Sequence, residues 1–125
     1  MIFLTKKQII KMHERLAERT GGFTGIKNEG LLDSAVHNPL QTFMGEELYL
    51  TIQQKAASLC YGLIRNHAFH DGNKRIGVLA MLTFLAINGM EIKCSDEALI
   101  ELGLNGASGV YRQEDILDWI KKYCE

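Results

Sequence analysis

The sequence predicts an all-α fold, one compact helical bundle around a central buried helix, and three observations carry that prediction. Apolar residues recur at helical spacing, most clearly Ile52, Ala56, Leu59 and Leu63 beside the parallel row Ala57, Cys60 and Ile64. The longest uncharged run, Ile76 to Met90, is apolar on nearly every face of a helix, the pattern of a helix buried all round. At 125 residues the chain suits one domain burying roughly two-thirds of its unfolded surface without disulfides. No repeat, low-complexity tract or long linker divides it, so residues 1–125 are expected to form a single domain.

Taken in order, Thr5-Lys-Lys-Gln8 fits a capping box, and Ile9, Ile10, His13 and Leu16 follow at helical spacing, which predicts a first helix over 5–19. His13 lies near that apolar stripe and reads as a packed or hydrogen-bonded residue rather than a ligand. Thr20 to Gly25 carries three glycines in six residues and reads as a loop that continues to Gly30. Leu31 to Val36 reads as a short helix stopped by Pro39, the only proline, which also disfavours helical geometry at Asn38. Leu40 to Leu50 is mixed and reads as a loop with a short extended segment. Thr51 is placed to cap a helix ending near Asn66, and a helix over Asn73 to Asn88 follows, with Gly89 ending it. Glu91 to Cys94 is a brief connector, Ser95 starts a helix through Leu104, and Asn105 to Gly109 reads as a second glycine loop. A last helix runs from Arg112 to Tyr123, with Ile116, Trp119 and Ile120 as its inward face.

The charge balance, 14 basic against 15 acidic residues for a net of -1, gives no reason to expect a nucleic-acid footprint over the surface. Phosphate binding, if present, is local, and no direct DNA binding is expected. Cys60, Cys94 and Cys124 are odd in number and lack metal-type pairing, which favours reduced thiols, with Cys60 a small core residue. The N-terminus turns polar after four residues and does not read as a signal peptide. The uncharged run is shorter than the ~20 residues a membrane span needs. A cytoplasmic protein without membrane contact is the expectation.

Between the two strongest helices lies His67-Ala-Phe-His-Asp-Gly-Asn-Lys-Arg75, which sets two histidines, a carboxylate, an amide and two adjacent cations at the start of an apolar helix. Cations in a first turn meet the positive end of the helix dipole, a cost of a few tenths of a kcal/mol each; a bound phosphate is the simplest gain that offsets it. Gly72 permits a left-handed turn, and Asn73 can cap the following helix. Backbone N–H groups at Gly72 and Asn73, with Lys74 and Arg75, suit phosphate oxygens, the arginine as a planar fork and the lysine as a point charge. Asp71 is the one carboxylate within reach for Mg²⁺, a hard ion commonly held by one or two carboxylates plus substrate phosphates. His67 is available to take a proton from an attacking hydroxyl, since imidazole titrates near ~6.5. Phe69 alternates with the two histidines and should point inward as an anchor, and Arg65 could add a cation on the same side. Each residue alone has a bland explanation as a helix-end, turn or solvated side chain. As a group they point to phosphate handling without choosing the reaction.

His67-x-Phe69-x-Asp71-Gly72-Asn73-Lys74-Arg75 resembles the signature of the Fic/Doc superfamily, and Lys74 is similar to the death-on-curing (Doc) toxin branch, where Fic adenylyltransferases usually have a second glycine. The resemblance extends over Leu4 to His13, Thr20 to Gly22, Gly25 to Leu32 and the apolar helix after Arg75. It implies a compact helical Fic fold with a short β flap within 40–50 that aligns a target backbone. It also implies a toxin of a toxin-antitoxin module that uses ATP and Mg²⁺ to phosphorylate a threonine of elongation factor Tu. On this resemblance His67 activates the target hydroxyl, Asp71 binds Mg²⁺, and Gly72, Asn73, Lys74 and Arg75 hold the phosphates. Arg65 matches a basic position before the motif. A lysine at 74 is expected to turn the nucleotide so that its γ-phosphate, rather than its α-phosphate, meets the target. No inhibitory Ser/Thr-x-x-x-Glu helix is visible in the chain, and the resemblance implies control by a small antitoxin whose tail folds over the active groove.

Three other readings compete. One is protein adenylyl transfer by the same residues. A metal phosphohydrolase of the helical HD type would use His70 and Asp71 with His37 and a later aspartate such as Asp96, but leaves Gly72 to Arg75 without a task. A non-catalytic antitoxin-binding module would retain the loop as a fold element.

Overall fold

The helix starts follow from local side-chain chemistry. In the computed structural model, which describes residues 1–124, Thr5 accepts from the Gln8 N–H (3.2 Å) while the Gln8 side chain accepts from the Thr5 N–H (2.8 Å). This reciprocal box opens α1, Lys6–Thr20. Asn28 caps α2, Glu29–His37, so that helix begins two residues earlier than predicted, and a single 3₁₀ turn over Asn38–Leu40 carries the chain past Pro39. Two short antiparallel strands follow, β1 (Thr42–Phe43) and β2 (Glu46–Glu47), joined at Met44-Gly45, where both residues have positive φ. Such a turn matches the twist of a hairpin. Thr51 and Gln54 repeat the capping box at the start of α3, Ile52–Asn66. α4 spans Asn73–Ile87, α5 Asp96–Ser108 with Ser95 as its cap, and α6 Gln113–Tyr123.

Among the described residues six α-helices and one minimal hairpin make the fold all-α, as predicted. The centre, however, is α3 rather than α4. Nine residues of α3 are buried, and it packs against α2, α4, α5 and α6. α4 buries Ile76, Ala80, Met81, Phe84 and Leu85 against it, but Val78, Leu79 and Leu82 are only half-buried. Those three residues, with Leu99, Ile100 and Gly103 of α5, line an open apolar groove of about 440 Å³ that ends at Lys74 and Arg75. The all-round burial predicted for α4 is thus corrected. An uncharged run such as 76–87 of α4 need not be enclosed when a groove of its own making remains open. α3 and α4 approach closely at Gly77, where a Cβ would sit 2.6 Å from Ile64 Cγ1. α6 contributes Ile116, Trp119 and Ile120 to the core as predicted, and an isolated bridge between Ile92 and Cys124 ties its end to the 91–94 connector. Among the described residues no helix is long and apolar enough to cross a membrane.

Candidate functional site

The loop between α3 and α4 is held from three sides. Its floor is Phe69, 1% exposed, whose ring stacks on His13 of α1 with centroids 3.9 Å apart and planes 9° from parallel. The His13 ring also donates from Nε2 to the Asp71 carbonyl (2.6 Å), so one buried imidazole fixes both the anchor and the backbone of the carboxylate. From the glycine loop, Lys27 and Asn28 donate to the Ala68 carbonyl at 2.7 and 3.0 Å, and His70 N–H donates to the Gly25 carbonyl at 3.2 Å. From α4, the Asn73 amide reaches back: its Oδ1 accepts from the Phe69 N–H and its Nδ2 donates to the Phe69 carbonyl, both at 3.0 Å.

That last pair corrects the expectation that Asn73 caps α4. The N-cap is Gly72, in a left-handed conformation at φ 73°, and no side chain caps the helix. α1, α2, α3 and α5 each have a side-chain oxygen at this position. The Asn73 side chain is spent on loop closure, which leaves the amides of the first turn of α4 to an outside acceptor.

Asp71 is placed by backbone donors. Its Oδ1 accepts from the Gly72 N–H (2.9 Å) and its Oδ2 from the Phe23 N–H (3.3 Å). Gly22 lies so near that a Cβ there would meet Oδ2 at 2.7 Å. The glycine loop therefore serves the carboxylate directly: it brings an amide where any side chain would collide. Each carboxylate oxygen keeps a free lone pair, and among the described residues no three His, Cys, Asp or Glu side chains converge. One carboxylate of this kind fits Mg²⁺, whose remaining ligands are water and phosphate. His37, whose Nδ1 donates to the Asp33 carbonyl at the end of α2, and Asp96 on α5 join no such cluster with His70 and Asp71, so the HD-type arrangement is not formed.

His67, His70, Asp71, Gly72, Asn73, Lys74, Arg75 and Ala107 line one cleft of about 350 Å³. His67 closes α3 in the left-handed region at φ 50°, a conformation that costs a non-glycine residue of order 1–3 kcal/mol and collects at functional sites. Among the described residues no hydrogen bond holds its ring. Lys74 and Arg75 are exposed and make no ion pair with any described residue, so two uncompensated cations stand at an uncapped helix start. The Lys74 stem rests on Gly103 of α5, where a Cβ would sit 3.0 Å from Lys74 Cγ. Arg65 is the one predicted site residue outside the cleft. Its Nη1 donates to the Ala107 carbonyl (2.9 Å) at the end of α5, where a cation is favourable, and it touches the cleft only through Ala107. His13 and Gly22 emerge as supporting residues that the sequence did not assign to the site. Their signal was position alone, one at the buried face of α1 and one inside a glycine run.

The profile of the Fic/DOC family matches residues 3–85, which include this loop, all of α3 and α4 as far as Leu85. The chain belongs to the Fic/Doc family. It is 46% identical over 72 residues, 58% of its length, to the toxin Doc of Mycolicibacterium smegmatis (strain ATCC 700084 / mc(2)155), and that match spans 55%, about half, of the relative's length. It is 25% identical over 122 residues to the protein kinase doc of Escherichia phage P1, covering 98% of this chain and 95% of that one. Its loop thus sits within a Fic/Doc frame that carries Lys74 after Asn73.

Proposed function

We propose that this chain is a Doc-like toxin that transfers the γ-phosphoryl group of ATP to a serine or threonine hydroxyl of a protein, with elongation factor Tu as the expected target. The observation that carries this reading is the cleft itself. It gathers an unheld imidazole, a carboxylate with free lone pairs and two unpaired cations at a helix start whose amides no side chain caps.

In this reading His67 accepts the proton of the target hydroxyl as its oxygen bonds to the γ-phosphorus. The bond from that phosphorus to the bridging oxygen breaks, and ADP leaves with the electron pair. The first-turn amides of α4, with Lys74 and Arg75, hold the phosphate oxygens, the arginine through a planar fork. Asp71 would hold Mg²⁺, which supplies charge neutralisation on the phosphates when bound. Lys74, its stem seated on α5, occupies the space an α-phosphate would need and directs the γ-phosphate toward His67. The β1–β2 hairpin is the segment proposed to align the target backbone. A small antitoxin, its tail folded over the active groove, is the proposed partner, in a cytoplasmic toxin-antitoxin pair.

Incubation with elongation factor Tu and ATP labelled at the α- or the γ-phosphate tests this reading. Label carried to the target from γ-labelled ATP alone is expected. Label from α-labelled ATP alone would replace phosphoryl transfer with adenylyl transfer by the same residues.

A further inference from the structure

Lys55 is 1% exposed, and the cleft does not use it. It lies in the first turn of α3, where the helix dipole disfavours a cation, and burial of an ammonium is costly unless every donor is paired. All of its donors are paired. Nζ donates to the Pro39 carbonyl (3.4 Å), to the Tyr49 carbonyl and to Glu47 Oε1 (3.2 Å). These acceptors lie before the hairpin, after it and within β2, so one side chain gathers both stems and a strand.

Among the described residues no other side chain reaches both stems and a strand of the hairpin. All four strand residues are exposed, and at the tip Phe43 and Met44 are 67% and 89% exposed, so no apolar side chain of the hairpin is buried in the core. The Leu48 N–H donates to the Gln41 carbonyl at 2.9 Å, which closes the loop on itself, and the flanking bonds, Gln41 to Asn38 and the Leu50 N–H to Gln54 Oε1 at 2.9 Å, lie outside the strands. A two-stranded hairpin of this length is not stable alone. From Lys55 the same helix runs on to His67, its C-cap, a span of ~18 Å at 1.5 Å per residue, which five or six extended residues cover.

We propose that Lys55 is a positioning residue that fixes the β1–β2 hairpin on α3 as a platform for an extended segment of the protein substrate. The proposal rests on the transferase reading above. Lysine suits the task because a single flexible stem brings three donors to acceptors that a shorter polar side chain could not reach together.

The test compares Lys55→Met, which keeps the volume and removes the donors, with Lys55→Arg and with Glu47→Gln at an exposed partner. Amide hydrogen exchange is read over 39–50 and over α3 and α4, and KM for the protein substrate is read beside the affinity for ATP. In Lys55→Met, exchange over 39–50 is expected to rise at least tenfold with α3 and α4 unchanged. KM for the protein substrate should rise at least tenfold while ATP affinity stays within twofold. Lys55→Arg should restore most of both effects, and Glu47→Gln should shift them in the same direction by a smaller factor. Unchanged hairpin exchange would overturn the proposal, as would faster exchange with an unchanged KM. Loss of protection throughout α3 and α4 in Lys55→Met, with Glu47→Gln silent, would reduce the lysine to a core element and overturn it as well. If the wild type modifies no protein, the transferase reading falls and takes the role in target capture with it, while the exchange data still decide whether Lys55 holds the hairpin.

Discussion

Asn73 and His13 set the loop geometry from opposite sides, and neither needs to touch a substrate. Asn73 gives both ends of its amide to the buried Phe69 backbone. Truncation to alanine leaves a buried N–H and carbonyl without partners, a cost of about 2 kcal/mol. In Asn73→Ala, thermal unfolding is expected several degrees below the wild type, with Kd for ATP weakened because the start of α4 loses its registration. An unchanged melting temperature would show that the Phe69 contacts contribute little. The sequence identified Asn73 as important but assigned it the wrong partner. Asparagine before a helix is a common cap, and only the fold shows that residue 72 takes the cap position and turns the asparagine back into the loop. His13 was legible as a packed histidine, and its partners Phe69 and Asp71 were not, because a contact between α1 and a loop 58 residues later leaves no periodic trace.

At the scale of elements, the pairing of α4 with α5 seats Lys74. Gly103 sits inside α5, where alanine would ordinarily gain up to ~1 kcal/mol of helix stability. A Cβ at this position would press on Lys74 Cγ at 3.0 Å, and the flexible lysine is the part that gives way. Gly103→Ala is therefore expected to keep or raise the melting temperature while phosphoryl transfer falls by about tenfold, the scale of a small misplacement at a reacting centre. Full activity would show that the seat of Lys74 does not matter. The same glycines explain a misplaced boundary: Asn105 to Ser108 read as a loop but continues α5, because Gly106 permits close approach to Ile64 rather than breaking the helix. The two-residue strands of the hairpin were foreseen only as a short extended segment, since strands with both faces exposed carry no alternation. The long helices were legible from capping boxes and apolar spacing.

For the molecule as a whole, one core runs beneath the site, and Cys60 reports on it. The thiol is fully buried on α3, and desolvation pushes it up to about 12 from an ordinary 9.0. Its folded value is raised, so the contribution to stability is level below pH 9 and turns against the folded state as pH rises from 9 toward 12, where only the unfolded chain ionises. At pH 8 iodoacetamide is expected to modify Cys60 only at the rate of global unfolding; rapid modification in the native protein would mean that α3 opens locally. The all-α class and the charged loop were readable from sequence, whereas the open groove beside α4 and the displacement of Arg65 from the cleft depend on how helices pack. The central claim, that this cleft transfers a phosphoryl group with His67 as the base, is tested most directly by intact-protein mass spectrometry on cells expressing the wild type or His67→Ala. A target protein heavier by one phosphoryl group with the wild type, and unshifted with His67→Ala, is the predicted result; an added adenylyl group, or the same phosphoryl shift with both, would contradict it.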